Sequence, residues 1–316
     1  MRSRILWFAS ALLALLALLC QWRIGFNNDN AWLLYTAGRL LDGARLYVDL
    51  VEINPPLIVW LNVPIVGIAR AAGLDAVDVF RVVVFTAALG SAGICQSISN
   101  RAFSALADGA VFFAGVLVLL AMPVVWFGQR EHLLLVLVFP YLFLSAARLA
   151  PERELSRAGR SAALALLAGL GLALKPHYLM VWVLVVWLGA RGRRPVHRWA
   201  ENRALVAVGL LYGLAVLLFA PEYLGLVRLL GAVYAEYRTQ GPAAMLLGRF
   251  EPLAVVVGLG IYATYRRAVG ARVLGDVLAL ATVGGVLGLL LQGKGFDYHY
   301  YPALACAAML MVVVWR

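Results

Sequence analysis

The chain is built from long apolar runs separated by short polar turns. Ile5–Cys20, Ala110–Val125 and Val277–Leu291 contain no charged residue. Each approaches the ~20 residues that cross a hydrocarbon core as a helix. On this pattern we expect spans at 5–22, 78–97, 106–126, 132–148, 161–174, 178–190, 204–220, 252–267, 273–291 and 302–315. Between the first two lies a segment of different character. Asn28 or Asp29 can cap a helix over about Asn30–Leu41, whose Trp32, Leu33, Tyr35, Ala37, Leu40 and Leu41 form an amphipathic, interfacial set. Gly43 ends that helix, Asp49 and Glu52 follow in extended chain, and Pro55-Pro56 starts the next helix.

The apolar stretch 55–70 reads either as a span or as a surface helix, and the arginines choose between the two. With 55–70 at the surface, the N-terminus, loops 98–107, 148–160, 191–203 and 265–272 and the C-terminus are cytoplasmic and hold 16 of the 27 Lys and Arg residues. With 55–70 spanning, the four middle loops move outside with 13 of them, against the positive-inside bias. Asn62 and Pro64 also make 55–70 a poor span. The expected architecture is therefore all-α and polytopic. It has about ten transmembrane helices, both ends cytoplasmic, and a juxtamembrane helical loop 23–77 on the outer face.

Composition supports one membrane-embedded domain over 1–316. Hydrophobic residues make up 64% of the chain and mean hydropathy is +0.88, which leaves too little polar surface for a soluble domain. The N-terminal run resembles a signal peptide, but no small-x-small cleavage site follows it, so it reads as a retained span. Net charge is +11, with most of the excess in short loops. That points to anionic membrane lipids as partners and not to nucleic acid. Cys20, Cys95 and Cys306 lie in or beside apolar runs without CxxC spacing and read as packing residues.

The chemistry gathers in the outer turns. His132, His177 and His299 fall there, as do Lys175 and Lys294, the chain's two lysines. A lysine in an outer turn runs against the positive-inside bias and points to a specific anion, although snorkelling to lipid phosphates accounts for it too. The turn Gly128-Gln-Arg-Glu-His132 brings Arg130, Glu131 and His132 together between two apolar runs. The last outer loop, Gln292-Gly-Lys-Gly-Phe-Asp-Tyr-His-Tyr-Tyr-Pro302, flanks Lys294 with glycines that let a ligand approach the backbone. Tyr298 and its neighbours also fit an interfacial aromatic belt. Asp29 also fits a helix cap, and Asp42 and Asp49 fit solvated loop acids. Neither P-loop nor metal-ligand spacing is present.

The run Gly43-x-x-Leu-Tyr-x-Asp49-x-x-Glu52-x-Asn-Pro-Pro-Leu57 carries a resemblance. With the acid at Asp29, the charged turn at 130–132 and the Lys/His/Tyr-rich late loop, it resembles the C-type (GT-C) membrane glycosyltransferases. The similarity is greatest to the bacterial group related to protein O-mannosyltransferases and the lipid A aminoarabinose transferase. It spans most of the chain and is sharpest over 25–60. It implies a glycosyltransferase of the inner (plasma) membrane that moves a sugar from a polyprenyl-phosphate donor to a glycan, lipid or protein acceptor, on the periplasmic or exterior side. Asp29 matches the usual general base, Glu52 the acid before Pro-Pro, and Glu131 an acid in the later turn. In relatives an acid and a lysine often stand directly before Pro-Pro. Here Ile53-Asn54 intervenes and the lysine is absent, so the resemblance implies phosphate binding by Lys175, His177 or Lys294 instead. No cofactor follows from the residues, and divalent metal use stays open because related enzymes differ on it.

The chemistry needs a base for the acceptor hydroxyl and cations for the departing phosphate. The expected catalytic residues are Asp29, Glu52 and Glu131. Arg130, His132, Lys175, His177, Lys294, Tyr298 and His299 are expected to bind the lipid phosphate and sugar, and direct displacement inverts the anomeric centre. Loop 221–251, with Tyr223, Tyr234, Tyr237 and Arg238, offers a lid or acceptor surface. The alternative function is a transporter or flippase of lipid-linked sugars. It predicts ionisable residues at the membrane midplane and repeated halves. Asp108 and Asp276 instead fall near the cytoplasmic ends of their expected spans.

Overall fold

A computed structural model describes residues 2–150, 158–236 and 241–316. Arg153 and Arg157 of the 148–160 loop, and Tyr237 and Arg238 of the 221–251 loop, lie outside them. The described chain is all-α, with fourteen α-helices in the order α1 Arg2–Arg23, α2 Asn28–Leu41, α3 Leu57–Ala72, α4 Ala76–Ala102, α5 Ala110–Val116, α6 Arg130–Leu149, α7 Ala158–Leu174, α8 Leu179–Arg191, α9 Ala200–Phe219, α10 Glu222–Glu236, α11 Pro242–Leu247, α12 Phe250–Tyr265, α13 Arg272–Gln292 and α14 Asp297–Val314. Five of them, α1, α4, α6, α9 and α13, are long and apolar enough to cross a membrane. That is the pattern of a multi-pass membrane protein.

Among the described residues ten such helices do not form, and the reasons are local. The stretch 106–126 breaks into α5, a π-helical turn at Leu117–Ala121 and, after Pro123, a 3-10 turn at Val124–Trp126. Lys175-Pro176 separates α7 from α8, which has 13 residues. The helix α12 has 16 residues. The first turns of α14 are polar and aromatic, Asp297-Tyr-His-Tyr-Tyr301. The expected surface helix at 55–70 is α3, with 16 residues and Pro64 inside it. Pro56 caps it, as the Pro-Pro pair predicted, and Gly43 follows the end of α2 at a φ of 90°.

The helix α6 is the hub. Leu134, Leu135, Val138, Phe139, Leu142, Phe143 and Ala146 are all buried, and the helix packs on α4, α7, α13 and α14. A helix that is apolar on every side belongs in such a position. Small residues let α13 approach its neighbours closely, as membrane helices commonly do. A Cβ on Gly284 would stand 2.7 Å from the Val181 backbone, and one on Gly285 2.9 Å from the Ala303 backbone. At the periphery, α1 and α9 turn Phe8, Leu12, Leu15, Leu210, Leu214 and Phe219 outward, a surface suited to lipid.

The two ends of the bundle differ. Residues 130, 174, 292 and 297 bring one end of α6, α7, α13 and α14 together. At the opposite ends stand Arg148, Arg191, Arg266, Arg272 and Arg316. There Arg148 Nε pairs with Glu201 at 2.8 Å and its Nη2 donates to Ser161 Oγ at 3.1 Å. Asn202 Oδ1 accepts from Tyr141 (2.9 Å) and Trp182 (3.1 Å). These bonds tie α6 to α7, α8 and α9.

Candidate active site

At the first end lies a cavity of about 910 Å³. Its polar lining includes Asp29, Asn54, Arg130, Lys175, His177, Gln292, Lys294, Tyr298 and His299. One helix, α10, supplies an apolar wall of Leu226, Val227, Leu230 and Val233. Loop 221–251 is therefore largely helical, and its i, i+4, i+7 spacing at Leu226, Leu230 and Val233 is the signal for it. Tyr223, at the start of α10, packs its ring 5.1 Å from Tyr47 and so links α10 to the first loop.

The cap of α2 is Asn27, whose side chain accepts from the Asp29 backbone N–H at 2.9 Å, and not Asn28 or Asp29. This leaves the Asp29 carboxylate exposed in the first turn. Gln129 Nε2 donates to its Oδ2 at 3.2 Å. Asp29 is the one acidic residue lining the cavity among the described residues.

The other two expected catalytic acids lie behind the wall. Glu52 is 2% exposed and accepts from Trp32 Nε1 (2.5 Å), Asn54 N (2.7 Å) and Asn54 Nδ2 (2.7 Å). Asn54 Oδ1 in turn accepts from Arg130 Nη1. The carboxylate therefore reaches the cavity through Asn54 and a guanidinium.

Glu131 is 0% exposed. Its Oε1 lies 2.7 Å from Lys175 Nζ and 3.6 Å from His299 Nε2. The lysine contact is a close ion pair. Lys175 also donates to Gln292 Oε1 at 3.2 Å and lies 5.8 Å from the centre of the Tyr298 ring. Gln292 Nε2 donates to the Tyr178 hydroxyl (3.1 Å), which donates to His299 O (3.0 Å).

The electrostatics follow from burial. Desolvation, then the nearby Arg130, pushes Lys175 down to about 8, while Glu131 opposes the shift. Desolvation and the Lys175 charge push His177 down to about 4. The same two causes hold His299 well below its ordinary range. Both imidazoles are neutral near pH 7. They can hydrogen-bond a ligand, but the charge on the wall comes from Arg130, Lys175 and Lys294.

His132 does not join them. Its Nδ1 accepts from Gly128 N at 2.9 Å and its Nε2 lies 2.7 Å from Leu119 O. The carbonyl requires a proton on Nε2, so the ring is a neutral tie between the 128–132 turn and the π-helical turn. The expected phosphate contact is corrected here: both ring nitrogens are occupied within the protein. Three residues of the site had no role assigned from the sequence, Asn54, Tyr178 and Gln292. Gln292, a polar residue closing the apolar run of α13, was the most visible of them.

No three His, Cys, Asp or Glu side chains are grouped to hold a metal ion among the described residues. No family model, curated protein or solved structure matches the chain.

Proposed function

We propose that the protein is a membrane glycosyltransferase that takes a sugar from a polyprenyl-phosphate donor at this cavity. The observation that carries the reading is the pairing within one space. Three cationic side chains and one acidic side chain line it beside an apolar helical wall. An amphiphile with an anionic head matches that lining. The residue pattern over 25–60 adds the resemblance to C-type enzymes.

In this reading Asp29 accepts the proton of an acceptor hydroxyl. The hydroxyl oxygen forms a bond to the anomeric carbon as the bond from that carbon to the phosphate oxygen breaks. The lipid phosphate leaves with the electron pair, stabilised by Arg130, Lys175 and Lys294, and the anomeric centre inverts. The arginines at the far helix ends support a cytoplasmic location for that end and an extracytoplasmic one for the cavity. The membrane proposed is the bacterial inner membrane.

The test is transfer by the purified protein from a panel of polyprenyl-phosphate sugars, with Asp29→Asn beside the wild type. We expect Asp29→Asn to bind donor normally and to lose ~100-fold or more of the transfer rate, the scale of a general base. Undiminished transfer by Asp29→Asn refutes the assignment. Donor binding and movement across vesicles without transfer favours the flippase alternative.

A further inference from the structure

Glu131 has no path of its own to a ligand. It is fully buried, is absent from the cavity lining, and is paired with a lysine that does line the cavity. A group that never meets the reacting atoms cannot serve them as acid or base. It can act through Lys175. We propose that Glu131 is a positioning residue: its carboxylate is the counter-ion that fixes the Lys175 ammonium at the cavity wall, aimed at the ligand's anionic oxygen.

The geometry supports this in two ways. An ammonium has three donor directions. Gln292 Oε1 takes one, at 3.2 Å, and the Glu131 carboxylate stands against the ammonium as its counter-charge at 2.7 Å, which leaves donor capacity for a ligand oxygen. A lysine this buried also needs an opposite charge to stay protonated. Every other ionisable group around Lys175 fails to supply one. Arg130 on α6 and Lys294 after α13 disfavour its charge. His177 in the 176–178 turn and His299 on α14 are neutral near pH 7. Burial pushes the Tyr178 hydroxyl well above its ordinary range, so it carries no charge. Glu131 is the one anion in contact among the described residues, so removing it leaves Lys175 to shed its proton as pH rises toward neutrality. The identity of the anion rests on the reading proposed above; the ion pair does not.

The chain's two lysines make the test direct. Protein labelled with carbon-13 at lysine Cε and held in nanodiscs gives two resonances, assigned with Lys175→Arg and Lys294→Arg. Titrated without ligand, Lys175 should turn over near 8 in the wild type. In Glu131→Gln its midpoint should fall by about 1–3 pH units. An unmoved midpoint overturns the proposal.

A second arm measures binding of farnesyl methyl phosphate, a diester whose single charge is constant over this range. Glu131→Gln should bind it about 10-fold or more weakly near pH 8 and recover toward wild type in mild acid, where Lys175 regains its proton. Equal weakening at both pH values indicates a merely structural role and overturns the proposal. Should Glu131→Gln fail to fold, Glu131→Asp keeps the charge but shortens the reach. Weakened binding with a wild-type midpoint then supports positioning, and unchanged binding overturns it. If wild-type protein binds no diester, the lipid-phosphate reading fails while the lysine titration still decides the role of Glu131.

Discussion

The contact chain from Glu52 through Asn54 to Arg130 gives the sharpest stability prediction. Glu52→Ala removes an acceptor that serves three donors at 2.5–2.7 Å. Trp32 is 41% exposed, so its indole N–H can turn to water. The two Asn54 donors, on a half-buried residue, are less easily rehydrated. Each lost bond to a charged acceptor costs about 1.5–3 kcal/mol, so the variant should lose about 3–6 kcal/mol. Asn54→Ala cuts the same chain one link later. The double variant should therefore show a coupling energy of about 1–3 kcal/mol. The assay is denaturant unfolding in mixed micelles followed by tryptophan fluorescence, on both single variants and the double. Both single variants should also weaken diester binding, since each frees Arg130. Additivity within about 0.5 kcal/mol, or diester affinity equal to wild type in both, would refute the idea that Glu52 acts through Asn54.

Three further variants separate scaffold from site. His132→Ala should cost about 2–5 kcal/mol, because the Gly128 N–H and Leu119 carbonyl lose their partner, and should leave affinity per folded molecule unchanged; a selective loss of diester binding would contradict its structural role. Arg148→Ala strands Glu201, which is 2% exposed, and should cost about 3–5 kcal/mol without altering donor binding, measured by unfolding and by diester titration. Gly288→Ala would place a Cβ 2.5 Å from the Tyr178 ring. It should cost about 1–3 kcal/mol and, by displacing the ring that holds Gln292, broaden the Lys175 resonance; a sharp, unmoved resonance would show that the pocket absorbs the methyl.

Much of the frame was visible in the sequence because it is set by local rules. Uninterrupted apolar runs became α1, α4, α6, α9 and α13, and Pro55-Pro56 and Gly43 punctuated the chain where their geometry requires. The count of spans was not visible, because composition does not register backbone breaks. Residues 106–126 are apolar enough, yet Pro123 and the π-helical turn divide them. The residue set of the site was partly visible: Asp29, Arg130, Lys175, His177, Lys294, Tyr298 and His299 all line one cavity. Their neighbours' roles were hidden by distance along the chain. Nothing in the sequence ties Lys175 to Glu131 or to Gln292, 117 positions away. Nor does it reveal that His132 turns inward to the Leu119 carbonyl while His177 faces the cavity.

The order in which those partners arrive has a consequence for biosynthesis. Lys175 belongs to the middle of the chain, but Gln292, Tyr298 and His299 around it come from the last two helices. A chain entering the bilayer from its N-terminus thus carries the lysine for more than a hundred residues before its surroundings exist. During that interval Glu131, already synthesised, is the companion that lets the charge sit at the bundle mouth. The cavity closes with α14, so an unfinished chain lacks the wall that Gln292, Tyr298 and His299 supply.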